Sequence, residues 1–241
     1  VLTGLALCLI LYSLAQWVSL REPLFAQYAL LTSGSLVYSL HFFGVGQQYL
    51  WGHSPWVTSH AVGLSSLLAL TGCFLFMGQA LEGHNPQSRF LRIMRWGAVL
   101  TTALALAHAL DLLTLKAVAV IVSLVGTLPS LLSVPRAWRR ARAGDSLGST
   151  LLVAWLVYGV GSAVAIGVIN GGIPVNFWSL HAFQISATVD MLLFMRVLGL
   201  RTKALHIKAQ LASEELDAMH SLAHTDPLTG LPNRRGLQMA L

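Results

Sequence analysis

The sequence predicts an all-α membrane protein: a seven-transmembrane helix bundle with a C-terminal cytoplasmic helix that continues as a coiled coil. Three observations carry this. Hydrophobic residues make up 55% of the 241 and charged residues only 10%, where a soluble domain carries about 25% charged. Apolar runs long enough to cross roughly 30 Å of hydrocarbon recur seven times. Lys and Arg alternate between full and nearly empty loops, as they do when one face of a membrane meets the cytoplasm.

The runs lie near 2–20, 25–46, 57–79, 96–115, 117–134, 150–169 and 177–199. Lipid offers no partner to backbone N–H and C=O groups, so each run must be a helix, and the short turns between them give an up-and-down bundle. The first run begins at Val1 with no basic n-region and no cleavage site, which reads as an excerpt rather than a signal peptide. The fourth and fifth are the weakest, because Asp111 and Lys116 crowd their junction. Pro129 and Pro135 are expected to kink or end the fifth. On the sixth, Gly159, Ala163, Gly167 and Gly171 recur every four residues, a spacing that lets helices approach closely, either within the bundle or between two copies. Cys8 and Cys73 sit alone in apolar runs and read as packing residues.

One set of loops holds Arg21, then Arg89, Arg92 and Arg95, then Arg136, Arg139, Arg140 and Arg142; beyond the last run come Arg196, Arg201, Lys203 and Lys208. The alternate loops offer Lys116 alone. The arginine-rich side is therefore expected inside, with the N-terminus outside and the C-terminus cytoplasmic. The bilayer is the expected partner, with anionic headgroups as a secondary hold. Nucleic acid is excluded as a partner despite the net charge of +6, since no basic-aromatic groove is present.

Past the last run, Leu198, Thr202, Leu205, Ala209, Ala212, Leu216, Met219 and Ala223 repeat at spacings of four and three, a heptad seam on a helix continuous with the seventh span. A second stripe runs through Leu200, Ala204, Ile207, Leu211, Glu214 and Ala218. Two readings stand: a broad apolar face on an ordinary linker helix, or a parallel homodimer poised between two registers.

Ionisable groups inside a membrane normally face the bundle interior. Tyr38, His41, Val45 and Gln48 are expected on one face of the second span; Thr101, Ala105, His108 and Asp111 on one of the fourth; His181, Gln184 and Thr188 on one of the seventh. If the three faces converge, they form an outward-opening polar pocket for a small ligand, a proton or a metal ion. The alternatives are local hydrogen bonds, such as Asp111 to His108, and paired-His haem or metal binding, for which no ligand spacing is visible. Asp190 lies nine residues from His181 and cannot share that pocket on a straight helix. It is expected to make an interior hydrogen bond that fixes the rotation of the last span.

Asp226-Pro-Leu-Thr-Gly-Leu-Pro-Asn-Arg-Arg235 resembles the D-x-LTGL-x-NRR motif that opens GGDEF domains, the diguanylate cyclases. The resemblance implies a structural hinge in which Asp226, Arg234 and Arg235 brace the turn and Asn233 caps the first domain helix. The family's catalytic and metal-binding residues come later, so no catalytic residue, metal site or cofactor is expected in this chain. Mg²⁺ and GTP are implied for the remainder of such a domain. The resemblance divides the chain into a sensor bundle (1–199), a signalling helix (200–224) and the start of a GGDEF domain (225–241).

Residues 1–200 resemble the 7TMR-DISM family of bacterial seven-helix receptors. The match rests on Leu11-Tyr-Ser-Leu14 with Leu20-Arg-Glu22 and Tyr28; Gly44-Val-Gly-Gln-Gln-Tyr-Leu-Trp51; Ala141-Arg-Ala-Gly144 leading to Ala154-Trp155; and Asp190-Met-Leu-Leu193, where the family usually has Glu. This implies the bacterial inner membrane and an extracytoplasmic ligand or ligand-binding domain ahead of the first span. A retinal protein is excluded, because 177–199 holds no Schiff-base lysine. A transporter would show an internal repeat of broken helices, and none is visible. A histidine-kinase receptor is the remaining rival, but His224 is followed by Thr225, with Pro227 at three, rather than by Glu and a proline at five.

Overall fold

The computed structural model of the protein describes residues 2–83 and 87–224. Among these residues helix is the only regular structure: α1 (Leu2–Leu20), α2 (Pro23–Phe42), a π-helical turn (Gln47–Trp51), α3 (Pro55–Glu82), α4 (Arg89–Ala109), α5 (Leu115–Val125), α6 (Leu128–Arg142), α7 (Ser146–Ile169) and α8 (Phe177–His224). The chain divides into two units, the first ending at Leu198 and the second beginning at Gly199. Asp226, Asn233, Arg234 and Arg235 lie outside the described residues.

The architecture is the expected all-helical membrane bundle. Six stretches are long and apolar enough to cross a bilayer: α1, α3, α4, α5 together with α6, α7 and α8. Helix α2 has the length, 20 residues or about 30 Å, but Gln27, Thr32, Ser33, Ser35 and Ser39 lower its hydropathy. It packs between α1 and α3, and Thr32 is fully buried there.

The helix ends follow from local chemistry. Ser54, Ser88, Thr114 and Asp145 each accept a hydrogen bond from a backbone N–H two or three residues on, pairing donors that the first turn leaves free. Asn176 and Ser179 exchange reciprocal bonds at the start of α8. Helix α6 closes through Gly144 at φ 81°, with the Asp145 N–H on the Arg140 carbonyl, the left-handed C-terminal motif that glycine adopts without strain. Helix α4 closes identically, with Asp111 at φ 58° and the Leu112 N–H on the Ala107 carbonyl. The fourth span therefore ends at Ala109, short of the expected 115. Asp111 lies in the turn, not on a helical face with His108.

The fifth span is two helices with a break at Gly126 and Thr127. Pro129, in the first turn of α6, has no N–H to donate back across the break. Pro135 lies inside α6. The small-residue stripe of the sixth span is not a contact within the chain at its first two positions: a Cβ on Gly159 would meet nothing within 4 Å, and Ala163 is exposed. The glycines of α7 that meet other helices are Gly148, against the Ala137 carbonyl of α6, and Gly161, against Ser186 and the Ala182 carbonyl of α8.

Helix α3 is the axle of the first unit, packing against α2, α4, α5 and α6. Small residues permit this. A Cβ on Gly34 would lie 2.6 Å from the Ala69 nitrogen, and one on Gly72 would lie 2.6 Å from the Leu31 nitrogen. Between α3 and α4 the buried hydroxyls of Thr71 and Thr101 are 2.8 Å apart. At the arginine-bearing end Arg136 donates to Glu82 at 2.7 Å and stacks over Phe90. Arg140 reaches both the Leu81 carbonyl and Asp145. These two arginines are structural staples.

In the second unit α8 carries Leu205 half-buried, while Ala209, Ala212, Leu216 and Met219 are exposed. Leu211, of the second stripe, is exposed as well.

Candidate functional site

Three polar groups contain or adjoin the residues singled out from the sequence. The first joins α3 to the turn after α4. His60 Nε2 lies 2.9 Å from Asp111 Oδ1, and His60 Nδ1 lies 2.9 Å from both Ser59 Oγ and the Trp56 carbonyl. Trp56 stacks on the His60 ring at 4.7 Å, and the His108 ring is 4.8 Å away on tilted planes. His108 Nδ1 is 2.8 Å from the Leu113 carbonyl, while its Nε2 is buried without a partner. The ring lies over Gly63, where any side chain would collide with it.

The second group joins α2 to the start of α8. Ser39 donates to Gln184 Oε1 at 2.8 Å. His181 is stacked between Phe43 and Phe177, with Nδ1 2.8 Å from the Phe177 carbonyl. Gln184, His181, Thr188 and Ser39 line a cavity of ≈ 280 Å³ closed on its far side by Thr3 and Ala6 of α1.

The third group surrounds Asp190, deeper along α8. A cavity of ≈ 270 Å³ is bounded by α2, α3, the α5–α6 break, α7 and α8. Ser39, Ala187 and Met191 wall both this cavity and the preceding one. Tyr38 and Tyr158 meet Phe183 edge-on at 6.3 and 5.6 Å. Below them Tyr28, Phe76 and Phe194 form a buried aromatic chain, with centroids 6.0 and 5.0 Å apart. The Tyr28 hydroxyl donates to the Met191 carbonyl at 2.8 Å. Asp190 Oδ1 and Trp155 Nε1 are buried without hydrogen-bond partners.

The structure divides the three faces expected to share one pocket. The α2 and α8 faces do meet, through Ser39 and Gln184, and their third wall is α1 rather than α4. His108 and Asp111 lie in the separate histidine group. There Asp111 pairs with His60 instead of His108, because the left-handed turn at 111 carries its carboxylate across to α3. Gln48 is exposed in the π-helical turn; α2 stops at Phe42 and Gly44 reverses the chain at φ 71°, so the face containing His41 does not continue to it. His41 is half-buried with Nδ1 enclosed and unbonded, and is a wall of neither cavity. Asp190 faces away from His181, as helical spacing requires, but it lines a cavity and its Oδ1 lacks the expected bond. Sequence reasoning missed that cavity. Its signal was the run of small hydroxyl residues Thr32, Ser35 and Ser39 at spacings of three and four on the least apolar span.

Among the described residues no group of three or more His, Cys, Asp or Glu side chains is arranged to hold a metal ion.

An all-helical bundle with six strongly apolar crossings, and polar groups turned inward, defines a multi-pass membrane protein. The chain belongs to the family described as 7TM diverse intracellular signalling, 7TMR-DISM_7TM, whose model matches residues 1–201. It is thus a membrane sensor module for intracellular signalling. No curated protein and no solved structure matches the chain.

Proposed function

We propose that this chain is the sensor and transmission part of a diguanylate cyclase. It receives a stimulus from beyond the bacterial inner membrane and passes it through α8 to a paired cytoplasmic output that makes cyclic di-GMP from GTP. The single observation that carries the reading is the segment Asp226–Arg235, which has the form of a GGDEF opening motif and directly follows α8. The arginine distribution supports a cytoplasmic C-terminus. Exposed apolar residues on α8, among them Leu211, Leu216 and Met219, support a homodimer through this helix.

In such an enzyme two GTP-loaded domains must meet, each supplying one nucleotide, so geometry alone can switch it. The phosphoryl chemistry, with its Mg²⁺ and GTP, belongs to residues outside these 241; this chain contributes the placement of the two domains. Tyr28 on the Met191 carbonyl and Ser39 on Gln184 grip α8 at two points seven residues apart. A stimulus that alters either grip turns or shifts the helix that leads to the output.

The test is to purify the complete protein in lipid nanodiscs and supply GTP and Mg²⁺ in one reaction and ATP and Mg²⁺ in another. The proposal expects cyclic di-GMP from the first and no phosphohistidine from the second. Autophosphorylation on histidine without cyclic di-GMP would assign the module to a kinase.

A further inference from the structure

The cavity around Asp190 has no role in the reading above beyond its position against α8, and its chemistry is unbalanced. We propose that it is a binding site for a small organic ammonium ion, with Asp190 as the counter-ion.

The polar inventory comes first. No Lys, Arg or His lines the cavity among the described residues. The carboxylate of Asp190 is thus held in a bundle interior without a cation, with Oδ1 closed off and unbonded. A lone carboxylate at membrane depth is costly, so such groups pair with a partner or mark a ligand site. The surrounding hydroxyls sharpen the sign of that partner. Ser35 donates to the Leu31 carbonyl and Ser66 to the Val62 carbonyl, so each has spent its proton on its own helix and keeps lone pairs for a donor. The unpaired carboxylate repels an anion, whereas an ammonium group, with up to three N–H donors, complements both the carboxylate and these hydroxyl oxygens.

The walls favour the same class. Phe183, flanked by Tyr38 and Tyr158, lines the cavity beside the acidic residue, and aromatic faces attract cations, most strongly where water is excluded. Trp155 Nε1 and Thr32 Oγ1 both lack a partner, which favours an ammonium ligand that also carries an oxygen acceptor. The volume, ≈ 270 Å³, lies just below the ~300–1,000 Å³ of pockets that take drug-sized molecules, so the ligand is small. Asp190 lies one residue from Met191, whose carbonyl receives Tyr28. An ion pair formed there acts directly on a point where α2 grips α8.

The site is independent of which output α8 drives, and its test reads binding alone. The complete protein in nanodiscs is heated with 10 mM tyramine, with tyrosol, in which a hydroxyl replaces the ammonium, or with 4-hydroxyphenylacetate. Tyramine is expected to raise the unfolding midpoint by several degrees, and the neutral and anionic analogues are not. Asp190→Asn should raise the half-saturating tyramine concentration at least about tenfold. Should that variant fail to fold, Ser66→Leu fills the cavity, leaves Asp190 in place and should abolish the shift. Equal shifts with tyramine and tyrosol would mean bilayer partitioning and would overturn the proposal. So would a tyramine shift that survives both substitutions, or no shift with tyramine, ethanolamine and isopentylammonium alike.

Discussion

Replacing Gly34 by alanine adds one methyl group to the close α2–α3 crossing. The new Cβ would lie 2.6 Å from the Ala69 nitrogen and 2.7 Å from the Ser65 carbonyl oxygen, where ordinary contact begins at 3.4 Å. Both obstacles are main-chain atoms of α3, so neither can rotate aside. The two helices must part by about 0.8 Å at that point, which forfeits dispersion contacts along the interface. Overpacking of this kind costs about 1–3 kcal/mol. Gly72 is the reciprocal case, its Cβ falling 2.6 Å from the Leu31 nitrogen of α2. Because one widening relieves both clashes, the double variant should cost at least about 0.5 kcal/mol less than the sum of the singles. Gly159→Ala is the internal control. Its Cβ meets nothing within 4 Å, so the better helix propensity of alanine should leave it neutral or stabilised by up to about 1 kcal/mol. Unfolding in bicelles by titration with SDS, followed by tryptophan fluorescence, measures all four proteins. Equal stabilities for Gly34→Ala and Gly159→Ala, or strict additivity of Gly34→Ala with Gly72→Ala, would refute the packing argument.

Three further outcomes follow from the same structure. Arg136→Ala should destabilise by about 1–2 kcal/mol in the same SDS assay, since it removes both the Glu82 pair and the stack over Phe90 from a partly screened site. Arg139→Ala, whose guanidinium reaches only the Pro135 carbonyl of its own helix, should be near zero. Tyr28→Phe keeps the aromatic chain with Phe76 and Phe194 but loses the bond to Met191, costing about 0.5–1.5 kcal/mol; cysteine crosslinking between α2 and α8 should report a looser grip. Gly63→Ala should expel the His108 ring and disturb the adjoining His60–Asp111 pair, visible as altered histidine ring resonances in NMR and unchanged by the neighbouring Leu64→Ala.

The fold was legible because lipid leaves the backbone few options. Seven apolar runs had to be helices; the end of the second, the ends of the fourth and the continuity of the fifth differ from expectation. These departures are turn chemistry: a left-handed Gly44, a left-handed Asp111 in a position where glycine is usual, and a proline at 129 that interrupts the helical bonds. The site was less legible, because helical spacing tells which residues share a face and not which faces meet. His108 and Gln184 are both buried, yet α4 turns to α3 and α5 while α8 turns to α2. The glycines that set the α2–α3 crossing, Gly34 and Gly72, occur singly and carry no repeat. Asp190 was recognised as interior, but the cavity beside it arises from elements separated in sequence, of which only the hydroxyl run on α2 leaves a local signal.

The central claim is that the bundle lies across the membrane with α8 delivering its signal to the cytosol. Cysteine accessibility in intact cells tests it directly, with Cys8 and Cys73 first replaced by serine. Gln210→Cys should resist a membrane-impermeant maleimide until the cells are lysed, while Gly52→Cys, in the turn between the second and third spans, should react at once. Labelling of position 210 in sealed cells would place the output helix outside and contradict the account.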